Sequence, residues 1–452
     1  MKADTEEWNR RRKHVSSAES MESVSHRRRR IVNAAQRHRE VPLHTLHHHL
    51  DLVMLHEAYH RINPKATPGV DGQSWLAYGE GLTERLEDLL ERVKSGRYRA
   101  QPVKRSYVPK NEKEKRPIGL PTIENKILER AVAMILEPIY ELEFCEFSFG
   151  FRPGRSAHQA LSYLRRQCVK KKVHWILEVD LRKYFDTVDH GWMMDLLRRR
   201  VTDKVITRLV GKWLKAGVWE QGRVSYPSRG TPQGGVISPL LSNIYLHEVL
   251  DKWFVADQLP KMQGESFLVR YADDFVMGFE RLEDAQAMER ALVERFAAFG
   301  LEVNEEKSRL VRFKRPSRYD GPGTVKPGSF DFLGFTVYWG RSKSGANIPK
   351  VKTSRSRFRQ ALERLKQWGW EHRHDRLSEQ WKTLNEKLRG HDAYYGVTHN
   401  TYHLRRLRQS LQRHWRRWLS RRNRGSPVSW RQMNAWLRCH PLAPPRVHHR
   451  FV

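Results

Sequence analysis

The alternation of apolar and polar positions changes character three times along the chain. Residues 1 to about 50 are polar and basic with few apolar positions, and they read as a flexible arm or one exposed helix. From about 50 the texture becomes globular. Leu50, Val53, Met54 and the run His56 to Tyr59 predict a helix. Asn63 to Gly72 is a loop, punctuated by Pro and Gly. Leu82, Leu86, Leu89, Leu90 and Val93 return to helical spacing. Arg105 to Lys110 and Arg116 to Leu120, joined by a polar turn, predict a hairpin with cations at its tip. A long helix follows from Glu124 to about Tyr140.

The middle third mixes strands and helices. Trp175 to Asp180 predicts a short buried strand ending in a carboxylate, and Leu268 to Met277 an apolar hairpin with two carboxylates at its bend. Helices are predicted near 190–200, near 203–216 and from Ser238. This is an α+β pattern with a small antiparallel sheet covered by helices. After about 350 the period is helical throughout. Phe358, Leu362, Leu365 and Trp368 form one stripe, Trp381, Leu384 and Leu388 a second, and Leu404, Leu407, Leu411, Trp415 and Trp418 a third. Three such helices predict a bundle.

Charge narrows the class of partner. The 452 residues hold 84 Lys and Arg against 51 Asp and Glu, a formal net charge of +33. So large an excess calls for a polyanion. No apolar run approaches the roughly 18 residues of a spanning helix, which excludes a membrane partner of that kind. The first residues lack the apolar core of a signal peptide. Cys145, Cys168 and Cys439 show neither zinc nor disulfide spacing, so a cytoplasmic location is expected. His47, His48 and His49 point in different directions on a helix, which argues against a shared ion. Residues 401–452 contain 13 arginines and no Asp, Glu or Lys. Such a face, interleaved with Trp and Tyr, suits phosphates and stacked bases. On the helix around Leu404 to Trp418, Arg405, Arg408 and Arg416 are read as lying to the sides or back of the apolar stripe, free to reach RNA.

The sharpest chemical signal is Asp180 together with Asp273 and Asp274. Carboxylates embedded in apolar strands are costly to bury without a cation. Three of them, brought together on adjacent strand ends, suit hard divalent ions, which means magnesium. Two ions of that kind can activate an attacking hydroxyl and stabilise a leaving pyrophosphate.

These residues also carry a resemblance. Tyr271-Ala-Asp-Asp274 resembles the Tyr-X-Asp-Asp box of reverse transcriptases. The order of further blocks resembles bacterial group II intron-encoded reverse transcriptase/maturases: Ala66 to Gly72, Val108 to Lys110, Arg116 to Pro121, Ser148 to Pro153, Asp180 to Asp186, Gly230 to Pro239, Asn304 to Lys307 and Asp331 to Phe335. Leu384 to Gly390 and Tyr394-Tyr395 resemble the start of the maturase domain. The paired Cys and His of an HNH nuclease region have no counterpart beyond Cys439-His440.

The resemblance implies a right-hand polymerase followed by an all-helical thumb/maturase domain. Its divisions would be a basic arm (1–50), fingers (51–165), a palm (166–345) and the helical domain (346–452). It also implies roles. Asp180, Asp273 and Asp274 would hold two Mg2+ ions. Phe185 would be the sugar gate that favours dNTPs. Gln233 would support the incoming nucleotide and template base. Lys110 and Arg116 would grip the triphosphate. The implied partners are an RNA template and primer, dNTPs, and group II intron RNA bound to assist splicing, with a DNA target as a further option. The alternatives are a domesticated enzyme of phage defence or DNA repair and a non-catalytic RNA-binding maturase. Phe185 speaks against an RNA-directed RNA polymerase, which must accept a 2′-OH.

Overall fold

The computed structural model describes residues 17–109, 114–231, 234–317, 326–422 and 427–451. The expected arm begins as a docked helix rather than a free segment. In α1 (Ser17–Arg37), Val24, Ile31 and Ala35 fall on one stripe and all three are buried. This helix packs on α2 (Leu52–His60) and on α4 (Ile123–Tyr140), with α3 (Leu82–Lys94) alongside α2. Arg200 fastens its C-terminal end by donating to the carbonyls of Ala35, His38 and Val41. The consecutive arginines Arg28, Arg29 and Arg30 face solvent.

Helix α4 is buried almost along its whole length. Thr122 caps it by accepting from the Asn125 amide at 3.2 Å. A helix apolar all round belongs in an interior, and its few polar side chains must then find partners. Lys126 donates to the carbonyl of Thr67 at 2.6 Å, which ties the Asn63–Gly72 loop to the helix. Glu129 accepts from the Val236 amide at 2.6 Å, which ties a second loop.

Three sheets are built around this helical layer. The first has the order β2-β1-β4-β5 and comprises β1 (Val103–Pro109), β2 (Lys115–Leu120), β4 (Val218–Glu220) and β5 (Arg223–Ser225). Its β1–β2 hairpin is antiparallel, with Val108 opposite Arg116. The second has the order β6-β7-β3-β8 and is antiparallel throughout. It comprises β3 (Trp175–Val179), β6 (Ser266–Tyr271), β7 (Asp274–Phe279) and β8 (Arg309–Arg312). Helices α5 (Ala157–Lys170), on β6, and α9 (Leu282–Ala298), on β3 and β7, pack against it, while α6 (His190–Arg198) packs against α7 (Lys204–Leu214) and α8 (Ser238–Leu246).

The third sheet, β9 (Phe330–Phe332), β10 (Phe335–Arg341) and β11 (Asn347–Thr353), escaped the sequence reading. Val337 and Trp339 point inward from β10, and Val351 and Thr353 from β11. Lys350 and Lys352 separate the inward positions and conceal a strand in what reads as polar sequence. The expected boundary at 345/346 falls in the turn between β10 and β11, and that at 165/166 falls inside α5.

The C-terminal region is helical as expected: α10 (Arg355–Glu371), α11 (Leu377–Tyr395), α12 (Thr401–Ser420) and α13 (Trp430–Cys439). Leu365, Leu384, Leu388, Leu407, Leu411, Trp415 and Trp418 form its core. Gly369 lets α10 approach α12, since a Cβ there would meet Trp418 at 2.2 Å. Among the described residues no helix is long and apolar enough to cross a membrane.

Candidate active site

Strand register assembles the carboxylates. Val179 pairs with Phe275, so the next residue of the first strand, Asp180, emerges beside Asp274. Tyr271 pairs with Asp274 across the β6–β7 hairpin, which leaves Ala272 and Asp273 as its two-residue turn. Ala272 sits at φ +57, in the left-handed region that hairpin turns of this length use. The residues of that turn carry one acid and the strand below it the second, so three carboxylates share one edge of the sheet.

Their electrostatics show crowding by like charge. Burial is the largest influence on Asp274, and the carboxylates of Asp273, Asp180 and Glu178 add to it, pushing its carboxyl up to about 7. Asp274 keeps an edge open to solvent, yet protein hems its carboxyl on most sides. Burial also raises Asp273, and Asp180 contributes, while Arg116 and Arg270 oppose the shift. Asp180 accepts from Asn304 Nδ2 at 3.0 Å and lies 3.6 Å from Lys307 Nζ. Asn304 Oδ1 is buried with no partner among the described residues. An oxygen-rich cluster with an orphaned amide oxygen is a donor set that fits a hard divalent cation.

A second layer of residues, missed in the sequence, holds the turn. Arg270 is fully buried on β6. It donates to Asp251 through Nε at 2.8 Å and Nη2 at 2.5 Å, to Asn243 Oδ1 at 3.0 Å, and to the Ala272 carbonyl at 3.1 Å. Asn243 in turn donates to the Gly150 carbonyl at 2.7 Å. Gly150 lies flat on the turn, where a Cβ would stand 2.2 Å from the Ala272 nitrogen. The backbone of Phe147 to Phe149 pairs with Arg270 on both sides, through Arg270 N to Phe147 O and Phe149 N to Arg270 O. An arginine within an apolar strand was the available signal, because a buried guanidinium demands partners.

The remaining expected residues divide clearly. Arg116, on β2, is exposed and lies close enough to Asp273 to favour its ionised form. Phe185 is half-buried in the short helical turn Tyr184–Thr187, edge-on to Tyr184, and its carbonyl accepts from the Thr231 amide at 2.8 Å. Lys110 and Gln233 lie outside the described residues. Glu129, with its carboxyl raised to about 7 by burial, holds the start of α8 through the Val236 and Ile237 amides. Gly234, at φ +114, lies against the carbonyl of Gly119 on β2. Arg357, at the start of α10, faces the cluster and opposes the rise at Asp274. Tyr394 on α11 donates to the Leu333 carbonyl in the β9–β10 turn at 2.9 Å and lies close enough to Asp274 to feel its charge.

The arginine face needs a correction. Arg408 is not free. It is buried, donates to Asp392 at 2.6 and 3.3 Å, and also donates to the Ala443 and Pro444 carbonyls. It lies on the apolar stripe itself, one turn after Leu404. Arg416 is half-engaged, donating to the Val428 carbonyl at 2.9 Å and stacking over Trp430 at 4.7 Å. Arg405 is exposed, as are Arg406, Arg413 and Arg417.

Comparison with known proteins agrees with this geometry. The family model for reverse transcriptase (RNA-dependent DNA polymerase) matches residues 108–337, which include all three carboxylates. The chain is 36% identical over 325 residues to Protein YkfC of Escherichia coli, covering 63% of this chain and 81% of that protein. It is 32% identical over 309 residues to the group II intron-encoded protein LtrA of Lactococcus lactis, covering 54% of this chain and about half (51%) of LtrA. It is 28% identical over 329 residues to the putative COX1/OXI3 intron 1 protein of Saccharomyces cerevisiae, covering 60% of this chain and 38% of that protein. With a matched region that spans half of its length and contains the carboxylate sheet, this chain belongs to the reverse transcriptase (RNA-dependent DNA polymerase) family, with group II intron-encoded proteins among its relatives.

Proposed function

We propose that the protein is an RNA-directed DNA polymerase that copies RNA with dNTPs. The observation that carries this reading is the register that sets Asp180 beside Asp274 with Asp273 at the adjoining turn. Asp180, Asp273 and Asp274 would hold two Mg2+ ions, which when bound supply charge neutralisation at the attacking and leaving oxygens. The chain's own groups then have separable tasks. Arg270 and Asn243 hold the turn in place. Arg116 faces the carboxylates from the β1–β2 hairpin, where a guanidinium can fork onto phosphate oxygens. Phe185, held by packing, would exclude a ribose 2′-OH. Lys110 and Gln233 are assigned to triphosphate and to nucleotide support on their motifs alone.

Binding of intron RNA to assist splicing is the second role, supported by the intron-encoded relatives and by the exposed arginines of α12. Primer extension on an RNA template, run with dNTPs and separately with NTPs, tests the first reading. DNA synthesis that requires Mg2+ and Asp273 is the expected result. A wild-type protein that binds RNA yet extends no primer would leave only the RNA-binding role.

A further inference from the structure

A cavity stands apart from the carboxylates. It measures about 810 Å³ and lies at the root of the fingers sheet, between α6, α7, the chain entering β1, and Tyr226 just beyond β5. The strand β1 runs from this root at Val103 to the hairpin that faces the carboxylates. None of Asp180, Asp273, Asp274, Arg116 or Phe185 lines the cavity.

Its lining is one-signed. Arg99, Arg198, Lys204, Arg208, Lys212 and Lys215 surround it, and no carboxylate does. Arg198 pairs with Asp195 at its exposed side, at 3.1 Å. The other five have no carboxylate partner among the described residues. Two of the charges are tied to backbone carbonyls. Lys212 donates to the Gly96 carbonyl at 2.9 Å and to the Tyr98 carbonyl, and Arg208 donates to the Val93 carbonyl at 3.2 Å. Arg99, Lys204, Arg208 and Lys215 are exposed, and Lys212 is half-buried among them. Burial, then the nearby Arg208 and Arg99, lowers the Lys212 ammonium below its ordinary value, so these cations stand close enough to repel one another. At the mouth, Tyr226 is 72% exposed, yet its ring rests on Gly217, where a Cβ would meet it at 2.9 Å. A positioned, solvent-facing ring beside a basic lining combines the two elements of single-strand recognition, backbone neutralisation and base stacking.

We propose that this cavity is a second nucleic-acid site, which holds a single-stranded RNA segment with its phosphates on Arg99, Lys204, Arg208 and Lys215 and one base on Tyr226. The site extends the RNA-binding part of the reading above and is independent of the chemistry at the carboxylates. Phosphate groups could equally arrive as a free polyphosphate, and the two sources separate experimentally.

The test uses the full chain, the rim variant Arg99→Gln/Lys204→Gln/Lys215→Gln, and Tyr226→Ala. The probes are a labelled single-stranded RNA of about a dozen nucleotides, an RNA duplex, and inorganic tripolyphosphate. The exposed rim substitutions should leave the melting temperature unchanged. The rim variant should bind the single strand at least about tenfold more weakly, with a log K against log salt slope shallower by about 2, from roughly 0.7 per lost contact. Tyr226→Ala should lose about 5-fold to 100-fold. Extension of a short pre-annealed primer with saturating template should stay within about twofold of wild type, since the carboxylates are untouched. Wild-type affinity and salt slope in the rim variant overturn the proposal. So does loss of tripolyphosphate or duplex binding with single-strand binding intact. Failure here with normal primer extension leaves the polymerase reading standing, and weakened single-strand binding in a chain that extends no primer does the reverse.

Discussion

The palm and the C-terminal helical region each bury one arginine–aspartate pair, and the two pairs serve different ends. In the palm, Arg270 and Asp251 are both wholly buried, and the spare donors of Arg270 hold the carboxylate-bearing turn through Ala272 and Asn243. In the helical region, Arg408 and Asp392 are as well paired, but their spare groups hold the tail. Arg408 binds the Ala443 and Pro444 carbonyls, and Asp392 accepts from the Arg446 amide at 2.8 Å. The same chemical device therefore fixes a carboxylate-bearing turn in one place and the chain's tail in the other. Neither arginine is available to a ligand, whatever the net charge of +33 suggests.

The ceiling for any effect in the palm is set by the carboxylates themselves. Asp273→Ala or Asp274→Asn should cut DNA synthesis by at least about 10³-fold, on the order of 4 kcal/mol of transition-state stabilisation. RNA binding should change little. Primer extension within tenfold of wild type would remove Asp273 from the site.

Next in size are the pairs. Arg270→Met strands a buried carboxylate and should cost about 3–5 kcal/mol in stability. Arg408→Met should cost a similar amount. The two variants should part in activity. Per folded molecule, Arg270→Met should lose most of its synthesis, whereas Arg408→Met should keep it. The double change Arg270→Met/Asp251→Leu should regain most of the stability and none of the activity. Recovery of both would show that the network supports the fold alone.

A smaller effect is expected at the half-buried ring. Phe185→Ala should relax dNTP over NTP preference by about 10²-fold, a few kcal/mol of steric contact. An unchanged ratio of incorporation efficiencies would move the gate elsewhere.

Acid tests the pairs together. Burial opposes ionisation of Asp251, but Arg270, with the His247 imidazole beside it, outweighs burial and holds the carboxyl below its ordinary 3.8. Asp392 is likewise lowered, with the neighbouring His391 imidazole and the bonds from Arg408 outweighing burial. A depressed carboxylate contributes stability above its unfolded value, and that stability is lost as pH falls through the folded one. Melting temperature should therefore fall steeply below about pH 4, and less steeply in the double variant. The smallest effect belongs to Arg405→Gln, within about 0.5 kcal/mol in stability, with RNA affinity reduced by a single contact.

How much was legible in the sequence follows the same division. Asp180, Asp273 and Asp274 could be read because carboxylates in apolar strands are conspicuous and the spacing of the strands places them at ends. Arg408 was misread, although Leu404, Leu407 and Leu411 already define the stripe that contains it. Arg270 was passed over because its partners Asp251 and Asn243, and Gly150 behind Asn243, are distant in sequence, and only the packed sheet brings them together. The β9–β11 sheet was hidden by Lys350 and Lys352, whose outward positions carry charge over a buried alternate face.

Gly150 leaves a mark on how the molecule is made. It rests against a turn more than a hundred residues further along the chain, and that turn also waits on Asp251 from yet another segment. Contacts of such long sequence separation form late, after the entropy of closing the intervening loop has been met. Until these three segments have met, the chain carries Asp273 and Asp274 on an unanchored loop. Polymerase competence should thus arrive in one step with completion of the palm, and partial chains should be catalytically silent rather than weakly active.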